Sequence, residues 1–363
     1  MAAADRHGVA GDGFEAVRRY SAARRTAASW RALTGGRDRR DGDRRTLVAC
    51  SGGVDSSALA IALAAGSGGA RSSVELGHVV HDMRDRKEAL GDLDSVRALG
   101  AALGVDIHQR DVPVRAMGGN LEGAARRGRY EALAEMAVMA ACPFIATAHH
   151  ADDQLETVLM RVIRGAGPRG LAGVMPVRRL ETEFGGEPVR VVRPMLSLTR
   201  EDAVGICEAA GWTWREDASN RDESMVRNAI RAKVVPELKA LRADAAERAS
   251  VTAEICGMAA DAIERRARLV LNRATSDPGD SGQALVLDRK TIARTPMAVR
   301  CETLRMVLRD FGGSGLDRAG WGVLEPVAGA IGDGRTEPRT FRVGSIVVAV
   351  RAHEVRISEV VDG

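Results

Sequence analysis

The feature that most constrains the fold is an apolar segment that runs without a spacer into a glycine loop. Thr46–Cys50 has the short apolar pattern of a buried strand, and Ser51–Ser57 follows it with two adjacent glycines, three serines and an aspartate. Ala58–Ala65 then continues as an apolar helix. A buried strand that passes at once into such a helix is typical of parallel sheets with helices on both faces.

The loop after this strand is suited to holding an anion. Its two glycines let the backbone approach a ligand closely, and the amides at the start of the next helix attract negative charge. Asp55 is unsuited to bare phosphate but suits Mg²⁺, which binds one or two carboxylates together with phosphate oxygens. The alternative is a tight turn in which Ser and Asp cap the helix. The predicted ligand-binding residues are Ser51, Gly52, Gly53, Val54, Asp55 and Ser56.

Strands and helices alternate downstream of the loop. Further strands are predicted at Val74–Val80, Asp106–Val112 and Pro143–Ala148. Helices are predicted at Asp94–Leu103, Glu122–Ala140 and about Asp153–Arg164. This alternation predicts an α/β fold, a Rossmann-like doubly wound parallel sheet, in a catalytic domain over residues 46–236.

The N-terminal segment differs from this domain in composition. Residues 1–45 contain eleven Arg and six acidic residues, with glycine-rich charged patches. We expect a basic, mobile N-terminal extension, with a short helix near Glu15–Leu33.

The C-terminal part is predicted to be a helical linker followed by a small α+β domain. Helical spacing runs from Glu237 to about Arg273, which predicts a long helix within a linker at 237–282. Residues 283–363 predict the small C-terminal domain, with a helix at Ala298–Phe311 and a hairpin made of Phe341–Val350 and Glu354–Val360.

Composition narrows the class of protein without deciding it. The net charge of +4, carried by 49 Arg and only 4 Lys, is compatible with a polyanionic partner, although genome composition explains the Arg excess equally simply. No apolar stretch is long enough for a membrane span, and no secretory signal is visible. The widely spaced cysteines predict no disulfide framework or zinc site and favour a reducing cytoplasm: Cys50, Cys142, Cys207, Cys256 and Cys301.

A second polar motif lies at the end of the fourth predicted strand. Thr147–Thr157 contains two histidines and two aspartates within five residues, at the strand end where open α/β sheets bind ligands. His149 and Asp153 are the predicted functional pair, whereas His150 and Asp152 are left open between a functional and a structural role, because strand alternation can turn them away. The alternative is a capping box formed by Asp153 and Glu156.

Together these and other motifs resemble tRNA(Ile)-lysidine synthetases of the PP-loop ATP pyrophosphatase (N-type) family. The glycine loop matches the family signature, and six further motifs follow it in order. They are the histidines and arginine at His78, His81 and Arg84, the string from Asn120 to Tyr130, Thr147–Thr157, the glycine-rich Arg164–Gly173, Arg193–Leu196, and Asp217–Asn220 with Arg227–Arg231.

The resemblance implies a specific reaction. ATP, with Mg²⁺, would adenylate C2 of the wobble cytidine of an isoleucine tRNA, and the ε-amine of free L-lysine would then displace AMP to give lysidine. The C-terminal domain would bind tRNA, a homodimer is compatible with known relatives, and no membrane is involved. The alternatives are a thiolase-type PP-loop enzyme and an RNA-binding module that has lost catalysis.

The candidate site residues follow from this reaction. Asp55 and Asp153 are the predicted metal ligands, and the predicted catalytic residues are Asp55, Arg129, His149 and Asp153. Arg129 is expected to stabilise charge at the α-phosphate, with Arg126 as second choice. The candidates for the lysine site or the cleft are Glu122, Glu156 and Asp217. The candidate tRNA contacts are Arg126, Arg164, Arg169, Arg193, Arg227, Asn228 and Arg231.

Overall fold

The computed structural model describes most of the chain. The described residues are 11–67, 73–82, 86–117, 121–181, 188–215, 226–275, 284–312 and 320–359. They form two units, one within 1–164 and 173–253 and the other within 165–172 and 254–363. No helix in these ranges is long and apolar enough to cross a membrane.

The larger unit is built on a six-stranded sheet with the order β3-β2-β1-β4-β6-β5. Every neighbouring pair is parallel except β5 and β6, which are antiparallel. This is the α/β architecture expected from the alternation of strands and helices. The strands are β1 (Thr46–Ala49), β2 (Val74–His81), β3 (Ile107–Val112), β4 (Phe144–Ala146), β5 (Val177–Leu180) and β6 (Val189–Val192).

The helices up to residue 274 belong to the larger unit, except that Pro168–Leu171 lies in the smaller unit and Ala245–Ala274 begins in the larger unit and continues in the smaller. They are α1 (Gly11–Arg19), α2 (Ser21–Leu33), α3 (Val54–Gly66), α4 (Arg86–Leu103), α5 (Leu121–Met139), α6 (Ala151–Ile163), α7 (Pro168–Leu171), α8 (Arg200–Ala209), α9 (Val226–Ala229), α10 (Val235–Leu241) and α11 (Ala245–Ala274). Helix α3 is apolar on all sides because it lies in the core, where Leu59, Ile61 and Leu63 are fully buried.

The prediction of a mobile extension at 1–45 is wrong for the described residues 11–45. Helices α1 and α2 pack into the main core, where Val17 and Trp30 have no exposed surface. The Trp30 indole donates to Thr46 Oγ at 3.0 Å and so ties α2 to the start of β1. The apolar stripe of these helices outweighs the arginines, which stay on the outer faces.

The predicted long helix from Glu237 is interrupted. Helix α10 ends at Leu241, α11 starts at Ala245, and Arg242 between them is extended. Asp244 accepts from Arg242 at 2.6 Å and from Arg248 at 2.8 Å. An aspartate that bonds side chains on both sides of a break favours the non-helical conformation.

The smaller unit contains a four-stranded antiparallel sheet with the order β7-β10-β9-β8. The predicted strand Phe341–Val350 is in fact two strands, because the chain turns at Gly344 with a φ of +61°. The elements are β7 (Ala284–Asp288), α12 (Arg289–Ala293), α13 (Met297–Gly312), α14 (Trp321–Gly332), β8 (Arg339–Val343), β9 (Ile346–Val350) and β10 (Glu354–Glu359).

Candidate active site

The glycine loop, Ser51–Ser56, joins β1 to α3 at the carboxyl end of the parallel strands. Gly52 has a φ of +87°, and a Cβ at this position would lie 3.2 Å from the carbonyl oxygen of Asp92 on α4. Glycine is therefore required for both the conformation and the close packing. On the other side, the Arg215 amide donates to the Gly52 carbonyl at 3.2 Å.

The serines of the loop have different tasks. Ser56 Oγ accepts from the Ser51 amide and donates to the Gly53 carbonyl, both at 3.1 Å. Ser51 Oγ lies 3.2 Å from the same hydroxyl and is exposed. Ser56 therefore shapes the loop from within, whereas Ser51 faces outward, where a ligand can meet it.

The start of α3 is open to an anion. Gly53 occupies the N-cap and provides no side-chain hydrogen bond, so the first-turn amides have no capping acceptor. Val54 is buried and anchors the turn in the core. Asp55, in the first turn, has a buried Oδ1 without a hydrogen-bond partner among the described residues. The loop thus combines donors for an anion with a carboxylate oxygen available to a cation.

His150, rather than His149, joins the two predicted metal ligands. Its Nε2 lies 3.7 Å from Asp55 Oδ1 and 3.6 Å from Asp153 Oδ2. Burial lowers the pKa of His150, but the nearby carboxylates of Asp152, Asp55 and Asp153 outweigh it and raise the pKa to about 10. These carboxylates therefore stabilise positive charge beside the loop. Strand alternation does not turn His150 away, because His150 is the N-cap of α6.

His149 lies in a different electrostatic environment. Its Nδ1 is 3.0 Å from the Thr147 hydroxyl. Burial lowers the pKa of His149 to about 4, with the positive charges of Arg193, Arg126 and Arg227 acting in the same direction and Asp153 opposing them. His149 is therefore neutral near pH 7 and can act there through hydrogen bonds rather than through charge.

Two predicted acidic residues are paired with two predicted tRNA-contacting arginines. Arg227 contacts Asp153 and Glu156 at 2.8 Å each, and Arg231 contacts Glu156 at 2.6 Å. Glu156 is almost fully buried. These arginines hold the segment of α9 against α6, a role that the spacing of the motifs did not predict.

Asp152 has a structural partner that sequence reasoning missed. Lys239 Nζ of α10 lies 2.5 Å from Asp152 Oδ1, and the Arg200 amide donates to Oδ2 at 2.9 Å. Burial raises the pKa of Asp152, but His150 and Lys239 lower it well below its usual range. A lone lysine 87 positions away carries no sequence signal that would reveal this pair.

Most of the remaining candidates lie apart from one another, whereas Arg126 and Arg193 both contact Tyr130. Arg126 and Arg129 are exposed on α5, Arg164 is exposed after α6, and Asn228 is half-buried on α9. Arg169 lies in the smaller unit, paired with Asp261 at 2.7 Å and Glu264 at 2.5 Å. The Glu122 side chain and Asp217 lie outside the described residues. Arg193 belongs to a cluster with Tyr130 and Arg178, neither of which was predicted as a site residue.

Comparison with known families agrees with the architecture and the loop. The chain belongs to the PP-loop domain family, whose model matches residues 25–238. Among curated proteins, tRNA(Ile)-lysidine synthase of Symbiobacterium thermophilum is 39% identical over 204 residues, or 55% of this chain and 41% of the relative. That of Geobacter sulfurreducens is 33% identical over 275 residues, or 74% and 55%. That of Salinispora tropica is 41% identical over 194 residues, or 53% and 56%.

The matches cover only part of these relatives. The chain spans about half the length of the curated relatives it matches. Among solved structures, the U34-tRNA thiolase NcsA from Methanococcus maripaludis aligns over 64% of this chain and 77% of its own, with a TM-score of 0.49 and 15% identity. This similarity is too low to decide between functions.

Proposed function

We propose that this protein is an ATP-dependent tRNA(Ile)-lysidine synthase, an enzyme that ligates free L-lysine to C2 of the wobble cytidine of isoleucine tRNA. The observation that carries the proposal is the uncapped start of α3 beside an Asp55 carboxylate oxygen that accepts no hydrogen bond among the described residues. The names of the curated relatives supply the substrate. The reaction would proceed through an adenylated cytidine and release pyrophosphate and AMP.

The glycine loop is proposed to hold the pyrophosphate of ATP. The first-turn amides of α3 would donate to its oxygens, and the positive φ of Gly52 brings the backbone close enough for this contact. Ser51 would add a hydroxyl donor. Donors fixed before the reaction stabilise the charge that develops on the leaving group without reorganisation.

The acidic residues beside the loop fit a divalent cation in part. Asp55 Oδ1 is buried and accepts no hydrogen bond among the described residues, which suits a Mg²⁺ ligand, although the ion would compete with the His150 imidazole 3.7 Å away. Asp153 fits less well, because its Oδ2 accepts from the His150 amide at 3.0 Å and its Oδ1 contacts Arg227. Mg²⁺ held by Asp55 and phosphate oxygens would neutralise charge on the leaving group. We propose Asp55 as the principal metal ligand.

Other residues are proposed to orient the substrates. Arg129, exposed on α5, remains the candidate cation for the α-phosphate. Neutral His149 would donate or accept a hydrogen bond beside the adenylated base. Lysine needs an acidic partner, and Glu156 could serve only by exchanging its contacts with Arg227 and Arg231 for the substrate ammonium.

The thiolase alternative gains no support from the cysteines. Cys50 and Cys207 are buried close to the loop. Burial raises the pKa of both thiols, that of Cys207 to about 12. Thiol chemistry needs accessible thiolates, and burial without a nearby cation disfavours them.

The test is pyrophosphate release and labelled lysine incorporation with purified protein, ATP, Mg²⁺ and isoleucine tRNA transcript. Asp55→Asn should reduce both by roughly 100-fold or more, as for the loss of a group that stabilises transition-state charge. Asp94→Asn is the matched control, because Asp94 is an exposed aspartate whose ion pair among the described residues is with Arg97 at 3.6 Å. The control should retain full turnover.

The outcomes separate the possible functions. Pyrophosphate release without lysine incorporation would retain the loop chemistry and exclude lysine as the nucleophile. Absence of ATP turnover with this tRNA would contradict the enzyme assignment and favour an RNA-binding module. Equal loss of turnover in both variants would show that Asp55 has no special role.

A further inference from the structure

Three arginines converge on one tyrosine near His149. The guanidinium carbon of Arg126 lies 5.5 Å from the centre of the Tyr130 ring, and that of Arg178 lies 5.7 Å from it. Arg193 Nη2 contacts the Tyr130 hydroxyl at 3.5 Å. Cation–π contacts hold the planes of Arg126 and Arg178 beside the ring. Two of these residues come from separate elements, α5 and β5, and Arg193 follows β6 directly.

The described residues around this cluster provide no compensating acid. Among the residues that the structure describes, no carboxylate lies within ion-pair distance of Arg126, Arg178 or Arg193. This differs from Arg227 and Arg110, which are both paired with acids. Like charges held close together repel one another, so the arrangement is stable only at a cost, and a bound anion would relieve it.

Arg193 is the least satisfied member. Its side chain is only 4% exposed. Nη1 donates to the Met175 carbonyl at 2.5 Å, but Nε is buried without a partner among the described residues. Burial, together with the charges of Arg126 and Arg178, lowers the pKa of Arg193, while Tyr130 opposes this shift. A buried guanidinium with an unused donor is unfavourable in the free protein and suits an oxyanion.

The cluster lies at the same edge of the sheet as the glycine loop. Arg193 follows β6 and His149 follows β4, so both are at carboxyl ends of parallel strands. Arg178 reaches this edge because antiparallel β5 pairs Val177 with Val192. Since β5 is three strand positions from β1, the two strands lie roughly 14 Å apart at about 4.8 Å per strand. An anion here is distinct from the pyrophosphate proposed for the loop.

We infer that Arg126, Arg178 and Arg193 form a subsite for a backbone phosphate of RNA, next to the place where the reactive base would be held. This inference rests on the proposed function. Arginine forks match phosphate oxygens, and phosphate contacts position a nucleic acid without reading its sequence. The subsite would fix the strand on the far side of His149 from ATP.

The test compares two neighbouring arginines of one strand. Arg178 and Arg179 are both exposed on β5 but project to opposite faces, and only Arg178 contacts Tyr130. Binding of isoleucine tRNA and of an unrelated tRNA is measured at several salt concentrations for Arg178→Ala and Arg179→Ala. Arg178→Ala should weaken the binding of both tRNAs about tenfold. It should also reduce the slope of log K against log salt concentration by about 0.9, the value for one phosphate contact. Arg179→Ala should change neither.

ATP binding to the same proteins distinguishes the source of the phosphate. The affinity for ATP should be unchanged in Arg178→Ala. Weaker ATP binding with normal tRNA binding would overturn the inference and make the cluster an ATP site. Equal effects of Arg178→Ala and Arg179→Ala would also overturn it, because they would indicate diffuse attraction. If the unaltered protein does not incorporate lysine, but Arg178→Ala weakens tRNA binding and Arg179→Ala does not, the proposed function is rejected and the phosphate subsite is kept.

Discussion

Two buried arginines show how differently the two units use charge. Arg193 lies at the edge of the large sheet, Arg289 begins α12 in the smaller unit, and each is only 4% exposed. Arg193 leaves Nε unpartnered among the described residues and has two positive neighbours. Arg289 donates to the Asp333 carboxylate and to four carbonyl oxygens, those of Ala330, Ile331, Arg335 and Arg351.

This difference separates a buried charge that supports the fold from one that is available to a ligand. The Arg289 guanidinium replaces its water contacts with a complete set of acceptors, so removing it would take a hydrogen-bond donor from each of them. The Arg193 guanidinium replaces its water contacts with an incomplete set of acceptors, so its burial stabilises the free protein less. A buried charged group that lacks acceptors and has neighbours of the same charge is a candidate for a functional role rather than for a stabilising one.

The largest expected effect tests this comparison directly. Arg289→Met should reduce the free energy of unfolding by about 3–5 kcal/mol, because four carbonyl oxygens and one carboxylate lose a buried donor and only Ala330 and Asp333 keep a hydrogen bond from Arg339. Arg193→Met should cost about 1 kcal/mol or less, because it removes charge repulsion together with one carbonyl hydrogen bond. Urea unfolding measures both.

The control for this pair is Arg335→Met. The Arg335 side chain is exposed, and its guanidinium lies 3.9 Å from Asp333, so its loss should change stability by no more than about 0.5 kcal/mol. Equal destabilisation by Arg289→Met and Arg193→Met would remove the distinction between the two arginines.

An intermediate case lies beside the glycine loop. Arg215 pairs with Asp92 at 3.0 Å while its amide holds the Gly52 carbonyl, so its charge is satisfied but close to the site. In Gly91→Ala the new methyl group would displace the Arg215 guanidinium from this pair. Alanine should raise the helical stability of α4 by about 1 kcal/mol, whereas ATP turnover should fall about tenfold as the loop loses its support.

Gly329→Ala is the matched control, because Gly329 of α14 has open space around its Cβ position. It should show the gain in stability without a change in turnover. If Arg215→Ala retains normal turnover, the pair stabilises only the surface and does not position the loop.

Much of the fold was predictable because its signals are local. The strand, loop and helix at Thr46–Ala65 and the helices α5 and α6 follow from apolar runs and helical periodicity. The packing of residues 11–45 was missed because arginines obscured an apolar stripe, although Ala23, Ala27 and Trp30 stand at helical spacing. Strands β5 and β6 were missed because arginines interrupt their short apolar runs, whereas β1 and β4 carry none.

The site was less predictable than the fold, because it depends on contacts between distant segments. Motif order identified the glycine loop and the Thr147–Thr157 string but could not show that Glu156 binds Arg227 and Arg231. Nor could it bring Arg178 to Tyr130, since that contact depends on the antiparallel edge strand. Sequence names the residue types of a site, whereas topology decides which of them meet.

The smallest expected effect concerns pH and the acid that completes the Arg289 cluster. Arg339 hydrogen-bonds Asp333 and lowers the pKa of its carboxyl to about 2. A folded pKa below the unfolded value of about 3.9 means that the carboxylate stabilises the fold above that pH. This contribution is lost as the pH falls from about 4 towards 2. The stability difference between the unaltered protein and Asp333→Asn should therefore shrink over that range in urea unfolding.

Asp310→Asn, which removes another exposed aspartate paired with one arginine, should show a smaller pH-dependent difference. If the stability difference between the unaltered protein and Asp333→Asn stays constant from pH 6 to pH 2, Asp333 contributes through hydrogen bonding alone. The conclusion that its negative charge balances the arginines around it would then be wrong.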